Sequence, residues 1–296
     1  MIRKIMKKLV LQPIRTLQNI FAASGLVKIG ETFYVIADDD LALGIIEQYK
    51  EIKLVPLVAG TLPQEHKDRK KLKPDWEALV VVSKKNIPIE LLAVPSGSTP
   101  NRQMGSFIAF KDDGLISTSV DFSKIYSSLL TSFPNLNIEG ACFTQKCLQL
   151  FQRGNGSDAK SAVINLSLEG VLEDIRTTQI LAQDRILGYK EYSLGKIGGI
   201  PLCFTDACFV NENETWFLAA AEAGASTYED GGFAGAILGV LDDSGTVKDI
   251  FNLDIAHKPE GLSVEISDNN ERIIHVVTDA DSSEMPAVLY RGLVQF

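Results

Sequence analysis

The chain has 296 residues, 45% hydrophobic and 23% charged, which is ordinary globular usage and enough for one large domain or two smaller ones around a substantial core. Its 29 Lys plus Arg against 38 Asp plus Glu give a formal net charge of -9, which argues against a nucleic-acid partner. The opening run MIRKIMKKLVLQPIRTLQNIF lacks an uninterrupted apolar core and a cleavage site, and no apolar run reaches the ~18 residues of a membrane span, so a cytoplasmic protein with no membrane contact is expected.

In chain order, short runs rich in Val, Ile, Phe, Tyr and Thr follow one another: TFYVIA, ALVVVS, IELLAV, SFIAF, LQLF, SAVINLSL, TWFLAAA, AILGVL, LSVEI, RIIHVVT and AVLYRG. Turn signals such as KDDG, DDSG and SDNNE stand between pairs of them, which is hairpin chemistry. DFSKIYSSLLTSF is the best helical candidate, and its Ser and Thr content weakens it. The class is all-β.

The strands form repeated units that begin at Ser24, Glu77, Glu139, Asp206 and Glu260, the fourth alignable one residue earlier at Thr205. Each unit is a polar residue, a small residue, an apolar strand, a polar turn, a second apolar strand and a polar cluster. Such repetition is the mark of a β-propeller of four-stranded blades filling one domain over residues 1–296. Five units are counted, and six blades follow if the tail LEDIRTTQILAQDRILGYKEYSLG of the third hides another sheet. The last unit is short by one strand. Residues 1–23, with the stretch IMKKLVLQPI, can supply it and close the ring.

In a blade, the loop entering the first strand shares a face with the loop joining the second and third. The polar residues of all units should therefore crowd one axial funnel, with a rim holding Asp38, Asp39, Asp40, Glu77, Ser96, Ser98, Arg102, Glu139, Arg153, Asn155, Asp206, Glu222, Glu260, Asp279 and Asp281.

DWEAL, NIEGA, FTDA, KPEGL and VTDAD together resemble a bacterial propeller family of uncharacterised activity, and more distantly the phytase-like and SMP-30/gluconolactonase class. The resemblance to that class implies a six-bladed ring, a divalent cation, usually calcium, on the axis, and hydrolysis of an ester, lactone or phosphoester. It carries over Glu77, Glu139 and Glu260 as candidate ligands.

Beside the resemblance, the residues allow two readings. The repeated glutamates, with Asp38, Asp206 and Asp279, offer hard oxygens to Ca²⁺ or Mg²⁺; alternatively each glutamate accepts backbone N–H groups of the next blade and ties the ring together. Repetition favours the tie for at least two of the three. Arg102, Arg153, Lys73 and Lys258, where they point inward, suit an anionic ligand, which Asn155, Glu222 and Tyr228 would help to shape. Tyr228 lies in AAAEAGASTYEDGGFAG, the stretch expected to border a ligand pocket. Of the three histidines, His66 falls in a charged loop and His275 in a strand, which leaves His257 as the candidate general base. Cys142, Cys147, Cys203 and Cys208 lack zinc or redox spacing and read as free thiols. The alternatives are thus a divalent-metal-dependent hydrolase and a non-catalytic propeller that binds a small anion or a protein partner.

Overall fold

The β-branched and aromatic runs separated by turns pair into five antiparallel sheets arranged about one axis. The computed structural model describes residues 7–83, 89–112, 114–154, 160–223, 232–280, 282 and 284–295, without the side chains of His66 and Ser83. Blade 1 runs from Ala23–Ile29 to Lys53–Pro56, blade 2 from Trp76–Ser83 to Gly114–Asp121, and blade 3 from Ile138–Phe143 to Ile186–Tyr192. Blade 4 runs from Ile200–Asn211 to Val247–Asp254, and blade 5 starts at Lys258–Ile266. The first strand of each blade is its inner strand, in contact with the inner strands of both neighbours around the ring.

The ring has five blades, not six. The tail of the third unit forms helix α3, Leu168–Thr177, and the outer strand of blade 3 rather than another sheet. Two further helices precede it: α1, His66–Leu72, in the charged stretch before blade 2, and α2, Ser123–Leu129, within the expected DFSKIYSSLLTSF. Glu65 caps α1 by accepting from the Asp68 N–H at 3.0 Å. No helix is long and apolar enough to cross a membrane among the described residues.

Closure uses the N-terminal segment twice. Lys7–Val10 adds in parallel to the outer strand of blade 4, and Gln12–Thr16 then becomes the outer strand of blade 5 against Val288–Val294. Pro13 is tolerated because this strand lies at a sheet edge. Leu9 and Leu11 are buried between blades 4 and 5, so one short segment laces two blades.

Five apolar clusters fill the five boundaries between blades. Phe151, Phe204 and Phe217 stack edge to face across the boundary of blades 3 and 4, with ring centroids 5.1 and 5.2 Å apart. Ile125 and Tyr126 of α2 and Val171 and Ile175 of α3 pad the boundary of blades 2 and 3.

Each inner strand carries a β-bulge near its start, and the bulged residues are Ser24, Glu77, Glu139, Thr205 and Glu260. The fourth repeat thus falls in register at Thr205, one residue before Asp206. In blades 1, 3 and 5 the residue after the bulge is a glycine against which the next inner strand crosses; in blade 4 that place is taken by Asp206. A Cβ on Gly140 would lie 2.8 Å from the Asp206 Cα, and one on Gly25 2.6 Å from the Leu79 nitrogen. The polar-small signature is therefore a packing requirement. Gly140→Ala is expected to cost about 2 kcal/mol in urea unfolding, since backbone rather than a flexible side chain would have to move. Gly232→Ala, with open space around its Cβ and ordinary φ, is the control and should change stability by less than about 0.5 kcal/mol.

His275, on the second strand of blade 5, is buried against Phe33 of blade 1 with ring centroids 4.9 Å apart. Burial, reinforced by the Lys28 and Arg291 cations, pushes the imidazole down to about 4, while the Glu265 carboxylate stands 4.0 Å from Nδ1. The unfolded histidine titrates near 6.5, so between those values only the unfolded chain takes the proton. Stability is therefore full above pH 6.5 and falls as the pH drops towards 4, by about 3 kcal/mol from this residue. The wild type should show this loss in unfolding curves recorded across that range, and His275→Gln should lack it.

Candidate functional site

The bulges of blades 2, 3 and 5 turn Glu77, Glu139 and Glu260 into the funnel, and the second strands of the blades end beside them. Asp38, Ser96 and Arg153 follow the second strands of blades 1 to 3, and Glu222 and Asp279 close those of blades 4 and 5. These places converge on a funnel of about 480 Å³. Asp38, Asp75, Glu77, Glu139, Glu260 and Asp279 line it, together with Lys73, Arg102, Arg153 and Lys258.

The charges form two chains. On one side the Lys73 ammonium donates to Asp38 and lies 2.8 Å from Asp75 Oδ1, while Arg102 Nη1 is 3.0 Å from Asp75 Oδ2. Ser96 and Ser98 also donate to that Oδ2, at 2.5 and 3.3 Å. On the other side Glu139 Oε1 accepts from Arg153 at 2.9 Å and from the Asn137 amide at 2.6 Å. Arg153 continues to Glu222, which accepts from Lys258 at 3.4 Å, and Lys258 is 2.6 Å from Glu260 Oε1. This second chain joins blades 3, 4 and 5.

Glu77 belongs to neither chain. Buried at the bulge of blade 2, it has no hydrogen bond or ion pair among the described residues. Burial drives its pKa well above the carboxylate range, and the nearby Glu139, Asp75 and Asp38 add to the rise. Asp38 is pushed up to about 6 by burial and by Asp75, with Lys73 opposing. Against the cost of burial, Lys73 and Arg102 hold Asp75 below its ordinary value. Glu260 is raised by burial and, despite Lys258, by Asp279 and Glu139. Carboxylate oxygens of Asp38, Asp75 and Glu77 all lie within 4.8 Å of one another. Counting Glu222, and with Asp39, Glu284, Arg69 and Lys70 at the rim, nine carboxylates meet six cations among the described residues of the funnel. The site is short of positive charge.

Two expectations about the ring ties change. The three glutamates accept no backbone N–H of a neighbouring blade among the described residues; they face the funnel. The ties to backbone are made by other residues, while Glu139 and Glu260 link blades through their ion pairs. Ser24 Oγ donates to the Trp76 carbonyl at 2.5 Å, and Thr205 Oγ1 to the Pro259 carbonyl at 2.7 Å, each reaching the next blade at the residue before its bulge. Asp206 does not line the funnel: its buried carboxylate accepts the Leu262 N–H of blade 5 at 2.6 Å. Burial raises its pKa, with the Ala207 and Leu262 amides opposing. His257 is half-buried ahead of blade 5 and is not among the funnel residues. Asn155, Tyr228 and Asp281 lie outside the described residues.

Sequence reasoning overlooked Asp75 as a funnel residue, although DWEAL begins with it. Its signal is backbone conformation: Asp75 takes φ +57, a left-handed value that aspartate tolerates, and its buried carboxylate lines the funnel two residues before the bulge. Asn137 stands two residues before Glu139 in the corresponding place. Arg69 and Lys70 of α1 reach the rim, Arg69 donating to Asp39 Oδ2 at 3.0 Å.

Residues 19–294 match a family of unknown function, DUF6929. The chain belongs to that family. No curated protein matches the DUF6929 chain. Among solved structures it is similar to a luciferin-regenerating enzyme, with 11% identity over 97% of this chain and 96% of that one and a TM-score of 0.45. Virginiamycin B lyase from Staphylococcus aureus gives 11% identity over 98% and 100%, with a TM-score of 0.40. Endo-1,5-alpha-L-arabinanase from Thermotoga petrophila gives 11% over 95% and 72%, with a TM-score of 0.45. None of these likenesses bears on the chemistry of the DUF6929 funnel.

The contrast between paired and unpaired glutamates is testable without a ligand. In chelator-treated protein at pH 7, Glu77→Gln should leave urea stability unchanged or raise it by about 1 kcal/mol, because it removes a buried carboxylate among like charges. Glu139→Gln, which strips Arg153 of a partner, should lower it by about 3 kcal/mol. Equal losses in the two variants would mean that Glu77 is engaged as firmly as Glu139.

Proposed function

We propose that the axial funnel binds a divalent cation of the calcium or magnesium kind and, beside it, a small anionic substrate, and that the reaction is metal-assisted hydrolysis of a phosphoester, ester or lactone. The observation that carries this reading is Glu77: a buried carboxylate without hydrogen bond or ion pair, within 4.8 Å of Asp38 and Asp75, in a funnel with more carboxylates than cations. The donors fit the ion. They are hard carboxylate oxygens, with no histidine or cysteine among the funnel residues, which suits Ca²⁺ or Mg²⁺ rather than zinc or copper. Asp38, Asp75 and Glu77 would hold the cation, and Glu139 adds negative charge near Glu77. When bound, such an ion polarises a carbonyl or phosphoryl oxygen and lowers the pKa of water. Lys73 now neutralises Asp38 and Asp75; released by a metal, its ammonium can turn with Arg102 to the anionic group of a substrate.

A second reading has its own support. The chain Glu139–Arg153–Glu222–Lys258–Glu260 gives each of its carboxylates a cation, leaves only Arg153 Nε without a partner among the described residues and spans three blades, as expected of a non-catalytic propeller that holds its ring by ion pairs and offers the funnel to a small anion or a protein partner. Metal content separates the two. Elemental analysis of protein purified without chelator should find about one divalent ion per chain, and millimolar calcium or magnesium should raise the melting temperature of chelated wild type but not of Glu77→Gln or Asp75→Asn. Binding should strengthen as the pH rises through about 6, where Asp38 gives up its proton. No bound metal and no stabilisation by either ion would defeat the hydrolase reading and leave the binding module.

A further inference from the structure

The ring-closing junction holds a second cavity that shares no lining residue with the funnel. Between blades 5 and 1 lies a cleft of about 1200 Å³, with an apolar wall that includes Ile14, Phe33, Ile46, Ile52 and Leu289. Three features of its polar groups do nothing for folding.

The first is His275, buried in the wall with no hydrogen-bond partner for Nδ1. A buried imidazole nitrogen without a partner carries a desolvation cost that a ligand or an ordered water can remove.

The second is Arg291. The other cations of the cleft are engaged: Lys28 lies 2.9 Å from Glu265, Lys50 2.5 Å from Glu47, and Arg15 donates to the Glu47 carbonyl at 2.8 Å and to that of Lys50. Arg291 is exposed and has no hydrogen bond or ion pair among the described residues.

The third is Tyr49, which is 95% exposed and has φ +60. It sits in a turn closed by the Lys50 N–H on the Glu47 carbonyl at 3.3 Å, at the position where glycine or asparagine is at home. Arg15, from the strand that closes the ring, grips both of those carbonyls and so pins the turn beside the cleft. An aromatic ring held out in water on a strained backbone is a local cost that points to a role beyond the fold.

We propose that this cleft is a binding site for a small anionic molecule with a flat apolar body. Arg291 receives the anionic group, Phe33 and Tyr49 contact the body, and His275 supplies a neutral polar group at the wall. The occupant is a free small molecule rather than a peptide, because a single unpaired cation beside one apolar wall provides for one anionic group on one apolar body.

Titration of the whole protein with 8-anilinonaphthalene-1-sulfonate, an aromatic sulfonate, followed by fluorescence, tests this. One saturable dye site per chain is expected, weakened about tenfold by Arg291→Glu, or about 1.4 kcal/mol. Tyr49→Gly should weaken it several-fold while leaving the melting temperature unchanged or higher, because glycine relieves the left-handed strain. Glu77→Gln should bind the dye like wild type, which keeps this outcome separate from that of the funnel. No saturable site, or a site indifferent to both Arg291→Glu and Tyr49→Gly, overturns the proposal. So does a Tyr49→Gly variant that melts lower and binds normally, since the tyrosine would then serve the fold.

Discussion

Everything in this molecule follows from how closely five inner strands approach one another around a single axis. At Gly25, Gly140 and Gly261 an added Cβ would meet the next inner strand at 2.6 to 2.9 Å, so no side chain fits at those three positions. The preceding residue is the bulge, which relieves the crowding by taking its residue out of register. The small residue and the polar residue before it are therefore one device. The first lets the strands close, and the second turns its side chain either to a carbonyl of the next blade or to the funnel.

What that device carries decides the electrostatics. Serine and threonine, at the bulges of blades 1 and 4, can donate, and they reach carbonyls of the next blade. An ionised glutamate only accepts, and the carbonyl it would need to tie is itself an acceptor. The glutamates of blades 2, 3 and 5 are thus sent to the funnel, where they must find cations in a poorly solvated space. Glu139 and Glu260 find Arg153 and Lys258. Glu77 has no cation paired with it among the described residues, and like charge from Glu139, Asp75 and Asp38 accumulates around it with only Lys73 opposing.

Much of this could be read from the chain, and the part that could not has identifiable causes. Period-two apolar runs and turn residues act locally, so the strands, the repeats and the N-terminal closing strand were legible. Helix α1 was not, because HKDRKKL has no apolar face to betray it and is held by a cap and by rim contacts instead. The extra blade suggested by the tail of the third unit dissolved for a similar reason: LEGVLEDIRT buries Val171 and Ile175 against the boundary of blades 2 and 3, which a β reading of the tail overlooks. The ties to backbone fall on Ser24, Thr205 and Asp206 rather than on the glutamates because the direction of a bulged side chain depends on ring geometry. Asp206 illustrates this: it reads like the glutamates in sequence, yet one residue of register turns it from the axis to the Leu262 amide.

The three glutamates pose the remaining question of cost. A ring that needed only to close could repeat the serine and threonine solution at every bulge, satisfying each hydroxyl with a neighbouring carbonyl and burying no charge. Buried ion pairs confer little net stability over apolar replacements, and an unpaired buried carboxylate opposes folding outright. Glu77, Asp38 and Asp75 together are therefore a burden on the fold that a bound cation would lift, and Lys73 is a substitute that neutralises two of them. The same logic applies at the closing junction, where Tyr49 keeps a strained backbone and Arg291 an unpaired charge beside an apolar cleft. In both places the departure from the cheapest fold is confined to residues that border a cavity. That distribution is expected when binding, rather than folding, sets the residues, since errors of packing would fall as readily along the boundaries between blades, where the apolar clusters are continuous.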